Sequence, residues 1–474
     1  MTYHAENTAD PMKRKTVSLC LIARNEEATI GMAIKSVLAL VDEVVVVDTG
    51  SDDNTRIIAE GYGARVLDVA WEDDFAAARN AALAEASCDW ILILDADEFL
   101  QPVRPVEFQA LLNDPGVAGY RLQMNGGNPG AAKGHGARIR LFRNDPSIRY
   151  RYPIHEQILS SLQAWAVMGG QIIADCPLTV VHDTDRPDRH LRQRERNLRI
   201  LGKAIVGYPE EPYFPYLMAG EGLAMLEDEV LPVAGLSGAL NHLHTAWTKV
   251  RRRERLHLKS LTWLVDLGVK TCAALLAKGQ TAEARTVIAE IQDLFPGNPR
   301  VILQSAAADI RWLESQVGGD APGDTGYLFG HVREDLLTLV STEPAAFLPE
   351  VDERVYALYP YRYLGELSLL NGKVSDAVGY FERALNRDPD YSFGWLGMAD
   401  CSRFAGDRKR ALKLYLRTVT EDEQNHQAWL KGCDLMREMG FHDNAESWWT
   451  KTVNRFPEHP VVTRREAAED LQSV

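Results

Sequence analysis

Gly372, Gly406 and Gly440 stand 34 residues apart, and three further columns keep the same step. They are Ala377, Ala411 and Ala445; Phe381, Tyr415 and Trp449; and Tyr361, Trp395 and Trp429. Pro389 and Pro457 bracket a position where the middle copy has Glu423. A period of this length is that of a helix–turn–helix unit, which cannot bury its apolar face alone and so must stack on its neighbours. On this reading the small Gly and Ala positions let paired helices approach, and the aromatic columns fill the space between units. An earlier copy carries Gly279, Ala284 and Pro296 at the same offsets. The stretch 299–360 departs from the pattern, and Gly318 to Asp324 reads as a loop inserted between helices. The helical region is expected over 210–474, with its clearest repeats at 265–298 and 358–459.

The first half alternates instead. Val17–Ile22, Glu43–Val47, Arg65–Val69 and Trp90–Leu94 are short apolar or β-branched runs suited to strands. Between them, helical spacing appears at Ile30, Ile34, Val37 and Leu38, over Thr55–Glu60, and in the alanine-rich Phe75–Ala86. This order predicts an α/β domain, a mostly parallel Rossmann-like sheet covered on both faces. Ligands of such sheets bind beyond the carboxyl ends of the strands. The polar residues gather there: Arg24 to Glu26 after the first strand, Asp48 to Asp52 after the second, Asp95 to Glu98 after the fourth.

Asp95 and Asp97 lie two apart at the end of an extended run, so both carboxylates can face one ligand. Paired hard oxygens suit Mg²⁺ or Mn²⁺, which take their remaining ligands from substrate phosphates. A metal held there would neutralise charge on a departing diphosphate.

The stretch Val17–Leu100 resembles an inverting family-two glycosyltransferase of the GT-A fold. Four pieces carry the resemblance, in the family's order: Leu21 to Glu27, Val47 to Thr55, Phe75 to Asn80 and Leu94 to Glu98. It implies that Asp48 contacts the base or ribose of a nucleotide, usually uridine or thymidine. Glu26 would line the base pocket, and Arg79 would reach the base or phosphates. Asp95 would sit by the ribose and the metal, with Asp97 the main metal ligand. Ala23, Arg24, Gly50, Asp52 and Ala96 complete the expected nucleotide-sugar contacts. The 34-residue columns likewise match tetratricopeptide repeats.

An inverting displacement needs a general base for the acceptor. Two strands, Gly119–Met124 and Arg138–Phe142, flank the glycine-rich stretch Asn125–Gly136, and Arg151 to Ile158 follows. In the enzymes this chain resembles, an acidic residue in this region is the base, commonly in a Glu-Asp or His-Glu pair. That points to Glu156, with His155 beside it to orient or bind. His182 ends another apolar stretch, and because some enzymes of the GT-A fold complete the metal shell with a histidine from this late region, the resemblance makes it a candidate third metal ligand or diphosphate contact. The expected layout is a tail over 1–15, a GT-A domain over 16–185, a connecting helix over 186–209 and the repeats.

The totals narrow the partners. A net charge of −15 makes nucleic acid an unlikely ligand, because phosphate backbones need a concentrated basic surface. The one basic cluster, Lys249 to Arg253, reads as a solvated helix face. No apolar run approaches the ~20 residues that cross a bilayer. Six cysteines are scattered with no C-x-x-C pair, which predicts a reducing, cytoplasmic setting without disulfides or zinc. The function expected is metal-dependent transfer of a sugar from a nucleotide-diphosphate sugar, a UDP-sugar first, to an acceptor near the repeats; similar fusions to repeats include peptide and protein glycosyltransferases, which makes a polypeptide acceptor reasonable, with glycan, lipid-linked and small-molecule acceptors open. The exposed edge of a repeat stack could also pair two copies into a homodimer. The alternative is a non-catalytic repeat scaffold carrying a nucleotide-binding domain.

Overall fold

The computed structural model describes residues 14–126, 137–182, 189–227, 234–259, 261–316, 325–346, 348, 351–457, 461–463 and 465. Most of the expected tail, the glycine-rich segment after Gly126, and the inserted loop 318–324 lie outside the described residues. The chain divides into two compact units, Met1–Gly207 and Tyr208–Val474.

The first unit is built on β1 (Val17–Ala23), β2 (Glu43–Asp48), β3 (Arg65–Asp68), β4 (Trp90–Ile93), β5 (Glu98–Leu100), β6 (Val117–Gly126), β7 (Ala137–Arg143) and β8 (Ile172–His182). These form one sheet in the order β3-β2-β1-β4-β7-β6-β8-β5. The β3–β2, β2–β1, β1–β4 and β6–β8 pairs are parallel; β4–β7, β7–β6 and β8–β5 are antiparallel. The helices are α1 (Ile30–Val37), α2 (Thr55–Gly61), α3 (Phe75–Glu85), α4 (Pro105–Leu112), α5 (Leu159–Gly169) and α6 (Arg189–Gly207).

Strand alternation sorts the side chains into two cores. Leu19, Leu21, Val44, Val46 and Leu92 face one way, against Ile30, Ile34 and Val37 of α1 and Phe108 and Leu112 of α4. Cys20, Val45, Val47, Ile91 and Ile93 face the other, against α3 and α5. Each fully buried Val, Leu or Ile contributes roughly 1.5–3 kcal/mol, so these central strands hold the sheet together. The small side chains of α3 let it lie close: the Cys20 thiol is 3.8 Å from the Ala82 carbonyl oxygen. Asp74 caps that helix by accepting from the Ala77 N–H at 2.8 Å.

The helix expected to link two domains behaves differently. Arg199 and Lys203 of α6 reach Asp73 at 2.7 and 2.6 Å, and Arg196 lies over the Phe75 ring at 4.9 Å. These contacts tie α6 to the approach to α3, and the helix belongs to the first unit.

The second unit is helical throughout its described residues. The columns read from the sequence separate into different jobs. Ala284, Ala377, Ala411 and Ala445 are fully buried, as are Phe381 and Tyr415. The glycine column does not serve close approach, as the sequence reading had it. Gly279, Gly372, Gly406 and Gly440 have φ of 74°, 69°, 83° and 79°, and a β-carbon on any of them would meet nothing within 4 Å. They turn the chain between paired helices through left-handed backbone that glycine adopts without strain. The close approaches fall elsewhere, at Gly365 and Gly397, where a β-carbon would come within 2.6 and 2.2 Å of the Phe381 ring. The indole N–H groups of Trp395 and Trp429 donate to the carbonyls of Pro389 and Glu423, six residues back in each copy. Because a backbone carbonyl does this work, glutamate can replace proline in the middle copy. The off-pattern region holds two long helices, Pro299–Gln316 and Thr325–Ser341.

Candidate active site

The adjacent parallel strands β2, β1 and β4 end on the same edge, and their end loops are sewn together. The Asn25 N–H donates to the Ser51 hydroxyl at 3.0 Å, and the Asp52 N–H donates to Asn25 Oδ1 at 2.9 Å. The Glu26 N–H donates to the Thr55 hydroxyl at 2.7 Å. Asn25 sits at φ 56°, a left-handed conformation that asparagine tolerates better than most side chains. Asp48 is 4% exposed, and its Oδ1 accepts from the N–H groups of Gly50 and Ser51 at 3.0 and 2.8 Å. Asp48 is thus fixed from inside, whereas Asp52 and Arg24 are exposed. Ala23 and Ala96 are buried walls of this edge.

A chain of charges runs beneath it. Arg79 Nε meets Glu156 at 2.6 Å, and its Nη2 meets Asp95 Oδ1 at 2.6 Å. Arg140 Nη2 reaches Asp95 Oδ2 at 3.0 Å and Glu98 at 2.5 Å. The Asp95 N–H donates to the second Glu98 oxygen at 2.9 Å. Two guanidinium groups therefore face three carboxylates, one positive charge short. Burial opposes ionisation of Asp95, but Arg140 and Arg79 overcome it and hold that carboxyl well below the usual range. Glu98 carries the deficit. Burial first and the Asp95 charge second push it up to about 7, against the pull of Arg140.

Sheet register explains how His182 arrives, 85 residues after Asp97. β5 pairs with β8 so that Glu98 lies opposite His182, and this sets the imidazole beside the neighbouring Asp97. His182 Nε2 is 3.3 Å from Asp97 Oδ2. The hydrogen bond to Asp97 raises the His182 pKa, with desolvation opposing. Two donors about one divalent cation, each ~2.0–2.2 Å from it, lie roughly 3 Å apart, so this pair fits two coordination positions. Asp95 differs, since both of its oxygens are engaged by arginines. Among the described residues no three His, Cys, Asp or Glu side chains converge as a metal cage.

Glu156 is delivered by a strained loop. Arg151 and Gln157 exchange backbone hydrogen bonds at 3.0 and 2.9 Å, closing the segment between them. Inside it Tyr152 and His155 take φ of 76° and 49°, left-handed backbone that histidine tolerates but that is costly for a side chain as bulky as tyrosine. The Phe75 N–H donates to the Pro153 carbonyl at 2.9 Å. The Asn80 side chain bonds both the N–H and the C=O of Tyr150. Consecutive residues of α3 thus divide the work: Asn80 fixes the loop's approach, and Arg79 grips its carboxylate. Glu156 points inward; His155 is exposed.

Residues 18–159 match the family model described as glycosyl transferase family 2. The first unit carries a family 2 glycosyltransferase domain. A TPR repeat-containing protein of Synechococcus elongatus is 36% identical over 208 residues, covering 43% of this chain and 51% of that relative. An uncharacterized glycosyltransferase of Rickettsia bellii is 46% identical over 88 residues, 18% of this chain and 29% of that protein. The chain thus spans about half the length of the first relative and under a third of the second. A crystal structure of glucosyl-3-phosphoglycerate synthase from Mycobacterium tuberculosis, in complex with Mn²⁺, UDP and phosphoglyceric acid, is 24% identical. It covers 38% of this chain and 74% of that one, with a TM-score of 0.30.

Within the family 2 domain, the matched segment takes in Glu26, Asp48, Arg79, Asp95, Asp97 and Glu156 and stops before His182. The case for His182 therefore rests on the β5–β8 register alone. Two members of the charge chain, Arg140 and Glu98, had no role in the sequence reading. A signal existed for Arg140: Arg138 and Arg140 alternate in an apolar strand, and a strand arginine on a buried face needs carboxylate partners.

Proposed function

We propose that this chain is a metal-dependent inverting glycosyltransferase that uses a nucleoside-diphosphate sugar, a UDP-sugar first, and glycosylates a polypeptide. The observation that carries the reading is the Asp97–His182 pair at the edge where β2 presents buried Asp48 and β4 presents arginine-held Asp95. Asp48 and Glu26 hold the nucleoside. Asp97 and His182 hold Mn²⁺ or Mg²⁺, which when bound supplies positive charge to the diphosphate. Asp95 faces the ribose, kept anionic and oriented by Arg79 and Arg140. Glu156, steadied by Arg79, takes the proton from the acceptor nucleophile as that atom bonds to the anomeric carbon and the nucleoside diphosphate departs. His155, exposed beside it, contacts the acceptor. A reducing, cytoplasmic setting belongs to this reading, supported by six free cysteines.

The test is a thermal-shift panel of UDP-, dTDP- and GDP-sugars with and without Mn²⁺, on wild type and Asp97→Ala. A ligand specific to the folded state stabilises by about 2.7 kcal/mol at a hundredfold excess over its Kd. One nucleotide should raise the melting temperature only with metal, and Asp97→Ala should abolish the rise. Absence of a shift at saturating donor in the presence of Mn²⁺ would overturn the proposal. Stabilisation without turnover on any peptide would favour a nucleotide-binding scaffold.

A further inference from the structure

Tyr150 sits beneath the site with every part of it held except its hydroxyl. The residue is 8% exposed. The Asn80 side chain bonds its N–H and its C=O at 2.9 and 3.0 Å. Its ring belongs to the core that Phe142, Ile148 and Ile158 share, and the Arg79 guanidinium lies 5.5 Å from the ring centre. The hydroxyl makes no hydrogen bond among the described residues. A buried hydroxyl left unpaired is costly, and folded proteins rarely carry one without a reason. Arg140 Nε also lacks a partner, but it is sealed from solvent, whereas the Tyr150 oxygen is not.

Its surroundings decide what can meet it. Burial pushes the phenol up to about 12, with Arg79 and Arg140 pulling it down and Glu156 and Asp95 pushing it up again. The hydroxyl therefore keeps its proton, and it lies within reach of four charged groups at once. Those groups are already paired with one another: Arg79 with Asp95 and Glu156 at 2.6 Å each, and Arg140 with Asp95 at 3.0 Å. In the proposed reading Asp95 faces the ribose of the donor and Glu156 faces the acceptor. One guanidinium spans the two carboxylates, and what the donor must pass between ribose and acceptor is its diphosphate and its sugar. The diphosphate is drawn to the metal at Asp97 and His182. The charge chain beside Tyr150 has no positive charge to spare for a phosphate, which leaves a neutral sugar hydroxyl as the suitable partner.

We infer that the Tyr150 hydroxyl hydrogen-bonds a hydroxyl of the sugar being transferred and so helps to select that sugar. This rests on the proposed glycosyl transfer and extends it to a residue that reads the donor beyond its nucleotide. Asn80 and the core fix the ring in advance, so little is lost in ordering it when the sugar arrives.

Tyr150→Phe is the test, because phenyl keeps the core packing and the contact with Arg79 and removes a single oxygen. The full chain and the variant are titrated calorimetrically, in the presence of Mn²⁺, with UDP, UDP-glucose, UDP-galactose and UDP-N-acetylglucosamine. UDP should bind both proteins alike. The sugar nucleotide that wild type binds most tightly should bind the variant about three- to tenfold more weakly, the size of one neutral hydrogen bond. Of its 2-, 3-, 4- and 6-deoxy forms, one should bind both proteins alike, because the partner of the missing hydroxyl is then absent from either side. Without ligand, the variant should melt at or above the wild-type temperature, since no internal hydrogen bond is lost. A melting temperature several degrees lower would mean that the hydroxyl is bonded within the protein, and would overturn the inference. Equal binding of every sugar nucleotide by the two proteins, an equal loss for UDP itself, or a penalty that persists in all four deoxy forms would each do the same. Failure of UDP to bind wild type would instead overturn the proposed function, and this inference with it.

Discussion

At the scale of single residues, the first unit turns on how two arginines are shared. Arg140 spans Asp95 and Glu98 from a position that is almost wholly buried. Removing one partner of a buried charged set leaves an uncompensated charge, which costs about 3–5 kcal/mol. Arg140→Met, close in length but uncharged, should lower unfolding stability in urea by that order. Adding Glu98→Gln should recover part of the loss, because the second change removes one of the stranded carboxylates. Equal or additive losses would show that the three groups do not act as one network. The sequence indicated Asp48, Asp95 and Asp97 because each sits in a short local pattern at a strand end, and Arg79, within α3, through the resemblance that Phe75 to Asn80 carries. Arg140 was hidden for a physical reason: its partners lie 42 and 45 residues away, and only the antiparallel β4–β7 register brings them together. His182 was suggested by the family resemblance, at the end of an apolar run, although the short strand β5 that places it was not read and its Glu98 counted only as part of the polar strand end.

At the scale of elements, local pattern was legible wherever burial imposed a period. The apolar runs of β1, β2 and β4 and the spacing of α1 follow directly from a sheet covered on both faces. Helix α4 carried a signal that went unread, a proline at its first turn followed by Val106 and Phe108. In the repeats, spacing identified the glycine column but misassigned its job, since spacing alone cannot separate a left-handed turn from a close approach. Two substitutions divide these roles. Gly406→Ala places a β-carbon in open space at φ 83°, so its cost is backbone strain, about 1–2 kcal/mol. Gly397→Ala drives a β-carbon into the Phe381 ring, an overpacking cost of about 1–3 kcal/mol or more. Denaturant melts of both, each repeated in a Phe381→Leu background, distinguish the mechanisms. The smaller side chain should relieve Gly397→Ala and leave Gly406→Ala unchanged. Relief of both would mean that the turn glycine also serves packing.

At the scale of the molecule, the two units bury charge in different ways, and acid should expose the difference. In the second unit Glu366 is largely buried between Arg311 and Arg362. Burial opposes its ionisation, but the two guanidinium groups prevail and lower its pKa from the usual 4.5 to about 2. A carboxyl with a depressed folded-state pKa contributes stability that is complete above its unfolded value and is lost as the pH falls through the folded value. The window is therefore about pH 4.5 down to about pH 2, and a shift of this size corresponds to roughly 3 kcal/mol at 1.36 kcal/mol per unit. Stacked repeats share stability between neighbours, so a loss at Glu366 also weakens the copies on either side. Glu366→Gln should be several kcal/mol less stable than wild type at pH 7, with both arginines short of a partner. That gap should narrow steadily as the pH falls from 4.5 toward 2, because protonation removes the same charge from the wild type. Urea melts across this range, followed by the fluorescence of the repeat tryptophans, measure it directly. A gap that stays constant with pH would mean that Glu366 stabilises the stack by packing alone, and the pairing with Arg311 and Arg362 would then add nothing net.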